Sequence, residues 1–591
     1  MKIKHLERIL STCFVLLLLG LVYLQIVEGE RYRKQSDENI IRLVPISAPR
    51  GSISDRHGVV LADHRLTFDV AIVPQETENL AALIEKLSEL THADKEILLS
   101  TYSRNVSTPF MPATVLEDIE KETAIMLEER RDLPGTMILI TSRRHYSYGS
   151  DTVHLLGVIS EIPPKELKRL RPYGYAFKDL LGQGGIEESF DNYLRGTGGG
   201  TQLKVNSKGY KVATLGYRPA TKGKDLTLTV DIRLQRFIHS LFDGKKGAAC
   251  VMHPETGEIL ALVSSPSFNP NEDFSTFLHA EEKPFLNRVT QGRYPPGSTF
   301  KLVVATMALE EGKITPDTSF RCSGLFQLGD SEFKCWRERG HGEQHLIEAI
   351  RHSCNIYFYR TALLGGAELL ASYAKLFGFG KRTQLELPYE AAGLVPTPFW
   401  KRFVIRERWY PGDTVNFAIG QGYLSVTPLQ LLRMASVIAA DGKLVEPYVV
   451  KQIGSLEVKG GRYHLLPISE ETLSVIRQGM IEAVNTPDGT GQYAAVEGFE
   501  IAGKTGTAQN AQGEDHGWFI AFAPADNPVV VAGIIVEFAE HGSRVAPLVN
   551  NVIARHLLGD DYQEGAYQVE LPADSAPASV PIIPVPRERP N

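Results

Sequence analysis

In the stretch "YPPGSTFKL", residues 294–302, a serine and a lysine stand three apart behind two prolines and a glycine. Residues three apart on a helix share a face, so the amine of Lys301 can reach the hydroxyl of Ser298. A serine hydroxyl is a weak nucleophile until a neighbouring base takes its proton. Lysine can be that base where burial disfavours its charged form. Pro295, Pro296 and Gly297 interrupt what precedes them, and the apolar run from Leu302 to Leu309 predicts a buried helix starting at the serine. The N-terminus of such a helix aims backbone N–H groups at negative charge developing on a carbonyl. Alone, the pair does not decide between a nucleophile and a helix cap, because the spacing recurs at Ser331/Lys334 and Ser372/Lys375.

Two later stretches add to it. "HSCNIYFY" sets Ser353 and Asn355 two apart at the start of an apolar helical run, a pattern also present at Ser103/Asn105 and Ser267/Asn269. "AGKTGTAQ" contains Lys504, Thr505, Gly506 and Thr507 in a run that occurs once, inside a strand candidate. Glycine in mid-strand lets a ligand or another backbone approach closely. A lysine and hydroxyls beside it suit a carboxylate. S-x-x-K, then a serine-containing triplet, then K-T-G, in that order, is the signature set of serine β-lactamases and penicillin-binding proteins.

Positioning these residues requires a sheet and buried helices. "KGAACVMHPETGEILALVSS" predicts a β-hairpin, and "FEIAGKTGTAQ", "GWFIAFAP" and "PVVVAGIIVEF" predict three later strands. Between them lie helix candidates, including "STFKLVVATMALEEG", "HLIEAIRHSCNIYFYRTALL", "ELLASYAKLFG" and "TPLQLLRMASVIAADG"; "VAPLVNNVIARHLL" follows the last strand. The expected fold is α+β, one five-stranded antiparallel sheet packed by helices. Upstream, residues 28–225 form a mixed, loop-rich pedestal region, with strand candidates "TFDVAIV" and "TQLKV" and a helix in "ETENLAALIEKLSEL". The segment that carries the three motifs spans 226–560, and the proline-rich stretch 561–591 is expected to be disordered.

Residues 9–27 are uncharged and as long as a bilayer core is thick. "QIVEGERYRKQS" after them offers no small-x-small cleavage site, so the segment is expected to remain as an anchor, with residues 1–8 cytoplasmic and the body exported. Net charge is −7 with no long basic run, which gives no sign of nucleic-acid binding. At 43% apolar and 23% charged residues the chain is globular, and 591 residues exceed one ordinary domain.

Five cysteines are too few for a disulfide scaffold. Cys13 lies in the anchor and Cys250 in a strand-like run, but Cys322, Cys335 and Cys354 cluster with His341. Three thiols and an imidazole are a full tetrahedral set for structural zinc, tying an inserted loop to the Ser353–Asn355 triplet. The alternatives are a Cys322–Cys335 disulfide with Cys354 merely buried, participation of Asp330 or His345, or His341 as a loop residue binding nothing.

The chain resembles the class B penicillin-binding proteins over residues 30–560. "RGSISDRHGVVLA" and "GQGGIEESFDNYLRGTGG" are similar to their membrane-proximal motifs, and "WYPGDTVNFAIGQGYLSVTPLQL" most resembles the elongation-type subgroup, penicillin-binding protein 2. The resemblance implies that Ser298 attacks the penultimate D-alanine carbonyl of a peptidoglycan stem peptide, with Lys301 as base and Ser353 relaying the proton. It implies that Asn355 holds the donor amide, that Ser298 and Thr507 supply oxyanion N–H groups, and that Lys504, Thr505 and Thr507, around Gly506, bind the terminal carboxylate. No cofactor is needed for the chemistry, and β-lactams would acylate the same serine. Implied partners are a polytopic SEDS-type glycosyltransferase and cell-shape proteins. A β-lactamase or a membrane β-lactam sensor on the same scaffold is the alternative. The pedestal argues against the first and the eight-residue tail against the second.

Overall fold

The computed structural model of the protein describes residues 2–32, 41–46, 48–106, 109, 111–175, 179–205, 211–510 and 513–562. The expected tail, 561–591, lies outside the described residues from 563 onward. Near the N-terminus an α-helix, Lys2–Val22, runs into a π-helical turn, Tyr23–Val27. Within it Arg8–Val27 is long and apolar enough to cross a membrane.

The chain folds into two units, and it passes between them more than once. The smaller comprises Met1–Gly51, Asp63–His145 and Asn192–Lys224. Here the end of strand Val60–Ile72 pairs antiparallel with Ala113–Ile119. Helices Leu80–Thr91 and Lys95–Asn105 begin at Asn79 and Asp94, whose side chains accept backbone N–H groups of the first turn. Their apolar faces supply Leu83, Ile84, Leu87 and Leu98 to a core shared with Val70, Ile72 and Val115. Ile41–Ile46, Gly199–Val205 and Lys211–Arg218 make a separate three-stranded antiparallel sheet in this unit.

The larger unit comprises Ser52–Ala62, Tyr146–Asp191 and Asp225–Asn591. Its elements used below are strands β1 (Gly247–Met252), β2 (Ile259–Ser265), β3 (Ala502–Ala508), β4 (His516–Ala523) and β5 (Val530–Val536). Its helices are α1 (Ile232–Phe242), α2 (Lys301–Glu310), α3 (Asn355–Leu376), α4 (Pro411–Ala418), α5 (Pro428–Ala439), α6 (Glu470–Asn485) and α7 (Ala546–Leu558). The five strands form the expected antiparallel sheet in the order β2-β1-β5-β4-β3, which leaves β3, the K-T-G strand, at an edge.

Strand periodicity assigns the two faces of this sheet. Val530, Ala532, Ile534 and Val536 of β5 join a core with Leu234 and Ile238 of α1 and Val549, Val552 and Ile553 of α7. The residue of opposite parity, Gly533, faces α5, where Leu432 reaches 3.3 Å from the position a Cβ would occupy. Every residue of α5 is buried. Thr427 opens it with a capping box to Gln430, and Pro428 occupies the first helical position, where its missing N–H costs nothing. The two helices expected on either side of "LLGG" meet end to end within α3 at a kink, where Gly366 leaves the helical conformation (φ 76°, ψ 169°).

Candidate active site

The serine sits on a different local element from the one expected. Gly297–Phe300 is a 3₁₀ turn, and the α-helix proper, α2, begins only at Lys301. Gly297 adopts φ 57° to enter the turn, and Thr299 Oγ1 donates to Pro296 O at 2.7 Å to close it. Ser298 is half-buried. Among the described residues neither its N–H nor its hydroxyl donates a hydrogen bond.

Lys301 is completely buried. Its Nζ donates to Ser353 O at 2.7 Å, to Asn355 Oδ1 at 2.7 Å and to Ser353 Oγ at 3.2 Å, with the Phe358 ring centroid 5.7 Å away. No hydrogen bond joins it to Ser298 among the described residues. The expected direct contact gives way because three acceptors already hold the amine; contacts of this kind commonly tighten only when substrate binds. Burial pulls the pKa of Lys301 down to about 8, against the opposing charge of Cys335, Cys354 and Cys322. Ser353 reaches the amine because it is in the left-handed region (φ 52°), between helix Leu346–Arg351 and α3, which Asn355 opens. Asn355 Nδ2 also donates to Lys334 O at 3.3 Å, so a neighbouring hairpin, Leu325–Leu328 with Ser331–Lys334, helps to orient the triplet.

Strand β3 closes the site. Lys504 is completely buried; desolvation, and then the charge of Lys301, hold its pKa well below the usual lysine value. Thr505 Oγ1 donates to Thr490 Oγ1 at 3.1 Å, and Thr490 in turn donates to Arg351 O at 3.2 Å. A Cβ on Gly506 would stand 2.9 Å from Pro296 O, so only glycine admits the serine turn this close to the strand. Gln421 Nε2 donates to the Thr507 carbonyl at 3.0 Å. The N–H and C=O of one strand residue point the same way, so the Thr507 N–H also faces the open edge, toward the serine turn.

Sequence reasoning brought Ser298, Lys301, Ser353, Asn355 and the K-T-G run together but assigned no part to several residues that fix their spacing. Gly420 O accepts from Gly297 N at 3.1 Å, beside Gln421. Trp518 Nε1 donates to Pro295 O at 3.0 Å, and Tyr294 donates to Glu537 at 2.7 Å, which pairs with Arg288 at 2.9 Å. The available signal for Gln421 was its setting in "GQG", where both glycines have positive φ (70° and 75°) and turn the backbone on either side of a buried polar side chain. Gly297→Ala forces a Cβ against the Thr507 backbone at a left-handed φ. The expected result is acylation slowed by about 10- to 100-fold, measured by stopped-flow with a chromogenic β-lactam.

Beside the triplet, the Sγ atoms of Cys322, Cys335 and Cys354 and a ring nitrogen of His341 all lie within 4.8 Å of one another. His341 Nδ1 is 3.5 Å from both Cys322 Sγ and Cys335 Sγ. All three thiols are buried, and none is in a disulfide. Cys335 is held below the usual thiol range by hydrogen bonds from Cys322 and Cys354, while Cys354 is pushed above it by its hydrogen bonds with Cys322 and Cys335. Asp330 and His345, the other ligand candidates, are outside this group.

Comparison with known proteins shows the family. Residues 247–554 match the penicillin binding protein transpeptidase domain, and residues 45–228 match the penicillin-binding protein dimerisation domain. The chain belongs to the penicillin-binding transpeptidase family. It is 34% identical over 92% of its length to a peptidoglycan D,D-transpeptidase MrdA of Haemophilus influenzae, covering 90% of that protein. With the Escherichia coli K12 protein of the same name, identity is 33%, over 95% of this chain and 93% of the relative. Among solved structures, the complex of penicillin-binding protein 2 with MreC from Helicobacter pylori superposes with a TM-score of 0.77 at 30% identity, covering 88% of this chain and 99% of that one. A peptidoglycan synthase complex that coordinates polymerization and crosslinking superposes at 0.72 and 31% identity, covering 95% of this chain and 99% of that one.

Proposed function

We propose that this protein is a peptidoglycan D,D-transpeptidase acting through a Ser298 acyl-enzyme. The observation that carries the proposal is the convergence at Lys301: one buried amine bonded to both ends of the Ser353–Asn355 triplet, on the helix that continues from the serine turn. Neutral Lys301 takes the Ser298 proton as Oγ adds to the penultimate D-alanine carbonyl. The N–H groups of Ser298 and Thr507 receive the oxyanion, and losing one such donor costs about 2.7–4 kcal/mol. As the intermediate collapses, the proton passes from Lys301 through Ser353 Oγ to the departing amine of the terminal D-alanine. An amine of a second stem peptide then attacks the ester, returning its proton by the same route and freeing Ser298.

Asn355 orients the donor amide, and Lys504, Thr505 and Thr507, around Gly506, take the terminal carboxylate. Two buried lysines repel each other, so the carboxylate has a second effect. It favours the charged form of Lys504 and leaves Lys301 as the neutral partner. Because the Lys301 pKa is lowered to about 8, its free-base fraction grows tenfold per pH unit below that point. The expected pH profile of penicillin acylation rises with unit slope and levels off above about 8. A rate independent of pH between 6 and 9 would show that Lys301 is not the base.

Residues 28–225 serve as pedestal and 226–560 as the transpeptidase domain, with 9–27 as a single-pass inner-membrane anchor, 1–8 cytoplasmic and the body extracytoplasmic. The similarity to complexes with MreC and with a peptidoglycan polymerizing assembly supports a cell-shape protein and a polytopic glycosyltransferase as partners. Cys322, Cys335, His341 and Cys354 fit a structural zinc. In a tetrahedron with Zn–S of about 2.3 Å and Zn–N of about 2.0–2.1 Å the S···N edge is about 3.6 Å. Both measured edges are 3.5 Å.

The test is a time course with fluorescent penicillin on the full-length protein in detergent, followed by peptide mapping. A persistent label on the peptide containing Ser298 supports a transpeptidase. Rapid loss of label with penicillin turnover would make it a β-lactamase. Absence of label on folded protein would overturn the assignment of Ser298.

A further inference from the structure

Residues 399–410 carry a surface that the chemistry above does not use. Phe399 is 68% exposed, Phe403 62%, Val404 61% and Tyr410 55%. Among them stand Arg402, Arg406 and Arg408, all exposed, and among the described residues no partner engages any of the three guanidinium groups. Phe399 and Phe403 meet with ring centroids 4.4 Å apart, and grouped apolar exposure of this kind marks a surface that something covers. Aromatic side chains with arginine are the mix enriched where recognition is tight.

The segment is fixed from beneath. Lys401 is buried, with Nζ 2.8 and 3.0 Å from the two carboxylate oxygens of Asp413, 3.5 Å from Glu407, and over the rings of Tyr410 and Tyr423. Lys401–Ile405 is a π-helical turn, and Arg406 follows at φ 66°. Both conformations are costly and concentrate where side chains must be held in a particular direction. The roots of the segment lead to the catalytic elements. Asp413 belongs to α4, which packs along α3, the helix that starts at Asn355. Tyr423 meets Trp400 with ring centroids 5.2 Å apart, two residues beyond Gln421, which holds the Thr507 carbonyl.

We propose that this ridge docks a peptidoglycan strand alongside the active site. Sugar rings lie on the exposed aromatic faces, and stem-peptide carboxylates pair with Arg402, Arg406 and Arg408. The proposal rests on the transpeptidase function argued above. Guanidinium forks match carboxylates in two parallel hydrogen bonds, and pyranose rings offer C–H faces to aromatic side chains. Glu407, 51% exposed among the arginines, discriminates between occupants. An anionic lipid surface repels it, whereas a stem peptide that also carries an amine pairs with it.

Full-length protein in detergent micelles is co-sedimented with purified sacculi, as wild type, as Arg402→Gln/Arg406→Gln/Arg408→Gln and as Phe399→Ser/Phe403→Ser. Each variant is expected to bind sacculi about tenfold more weakly, with fluorescent-penicillin acylation and melting temperature unchanged. Sacculi whose carboxylates have been amidated should bind wild type as weakly as untreated sacculi bind the arginine variant. Equal sedimentation of all three proteins overturns the proposal. So does a loss confined to vesicles of anionic phospholipid, which would make the ridge a membrane contact. Failure of the underlying function is distinguishable, because it appears as absent Ser298 labelling in wild type.

Discussion

Lys301→Met will slow acylation by penicillin about a thousandfold while leaving the fold intact. A positioned general base contributes about 10²–10⁴-fold, and the whole of that contribution is lost with the amine. Methionine fills the same straight cavity without a charge, and its flexible thioether adapts to the apolar side lined by Phe358. Two stability effects oppose each other: the acceptors at Ser353 and Asn355 lose their donor, but an amine with a depressed pKa no longer has to be buried. A melting temperature within a few degrees of wild type is therefore expected, so the kinetic loss reads as chemistry. Ser298→Ala should show no label at all. Lys504→Met should instead weaken apparent β-lactam binding far more than the acylation step, since it removes the carboxylate's partner rather than the base. If Lys301→Met acylated at close to the wild-type rate, the proton would have to leave Ser298 by another route.

The motifs were legible in sequence because each has a local cause. Proline and glycine at 295–297 mark a break, the apolar run after Lys301 marks a buried helix, and Gly506 in a strand marks close approach. The antiparallel sheet was legible for the same reason, since β1 with β2 and β3 with β4 and β5 are neighbours in sequence as well as in space. What stayed hidden is what only tertiary packing decides. The 3₁₀ start at Gly297–Phe300 follows from the backbone being pressed between Gly420 and Thr507, contacts more than a hundred residues away in sequence. The left-handed Ser353, which turns both its carbonyl and its hydroxyl onto Lys301, has no signature in "RHSCNIY". Gln421 lay inside a stretch already matched to the family, yet its bond to the Thr507 carbonyl depends on β3 being an edge strand with an open side. The passage of residues 52–62 and 146–191 into the larger unit likewise depends on long-range pairing, such as Ile53 with Leu226, that no local window contains.

Removing metal from the Cys322–Cys335–His341–Cys354 cluster should cost both stability and rate. Three buried sulfurs this close cannot all ionise without a cation: hydrogen bonds from Cys322 and Cys354 favour a thiolate at Cys335, while Cys354 is pushed the other way. A zinc ion held by the four residues would make all three thiolates stable together, and would join loop strand Phe320–Cys322 and the hairpin end at Cys335 to the residue between Ser353 and Asn355. Protein purified without chelator should carry about one equivalent of zinc. A strong chelator should lower the melting temperature by roughly 5–10 °C and slow Ser298 labelling at least about tenfold, with zinc but not magnesium restoring both. Cys354→Ala should reproduce the loss and be insensitive to added zinc. The rate effect separates a merely stabilising ion from one that sets the site, because the two residues flanking Cys354 supply the three acceptors of the Lys301 amine among the described residues: the Ser353 carbonyl and hydroxyl and the Asn355 side-chain carbonyl. Protein without zinc, two hydrogens lighter before reduction and mapping to a Cys322–Cys335 bridge, would replace the metal by a disulfide. In that case Cys354 would be a packing residue, and the triplet would be oriented by the bonds of Lys301, by the backbone bonds to Ile350 and Ala349 and by the Asn355–Lys334 bond, with no metal tie.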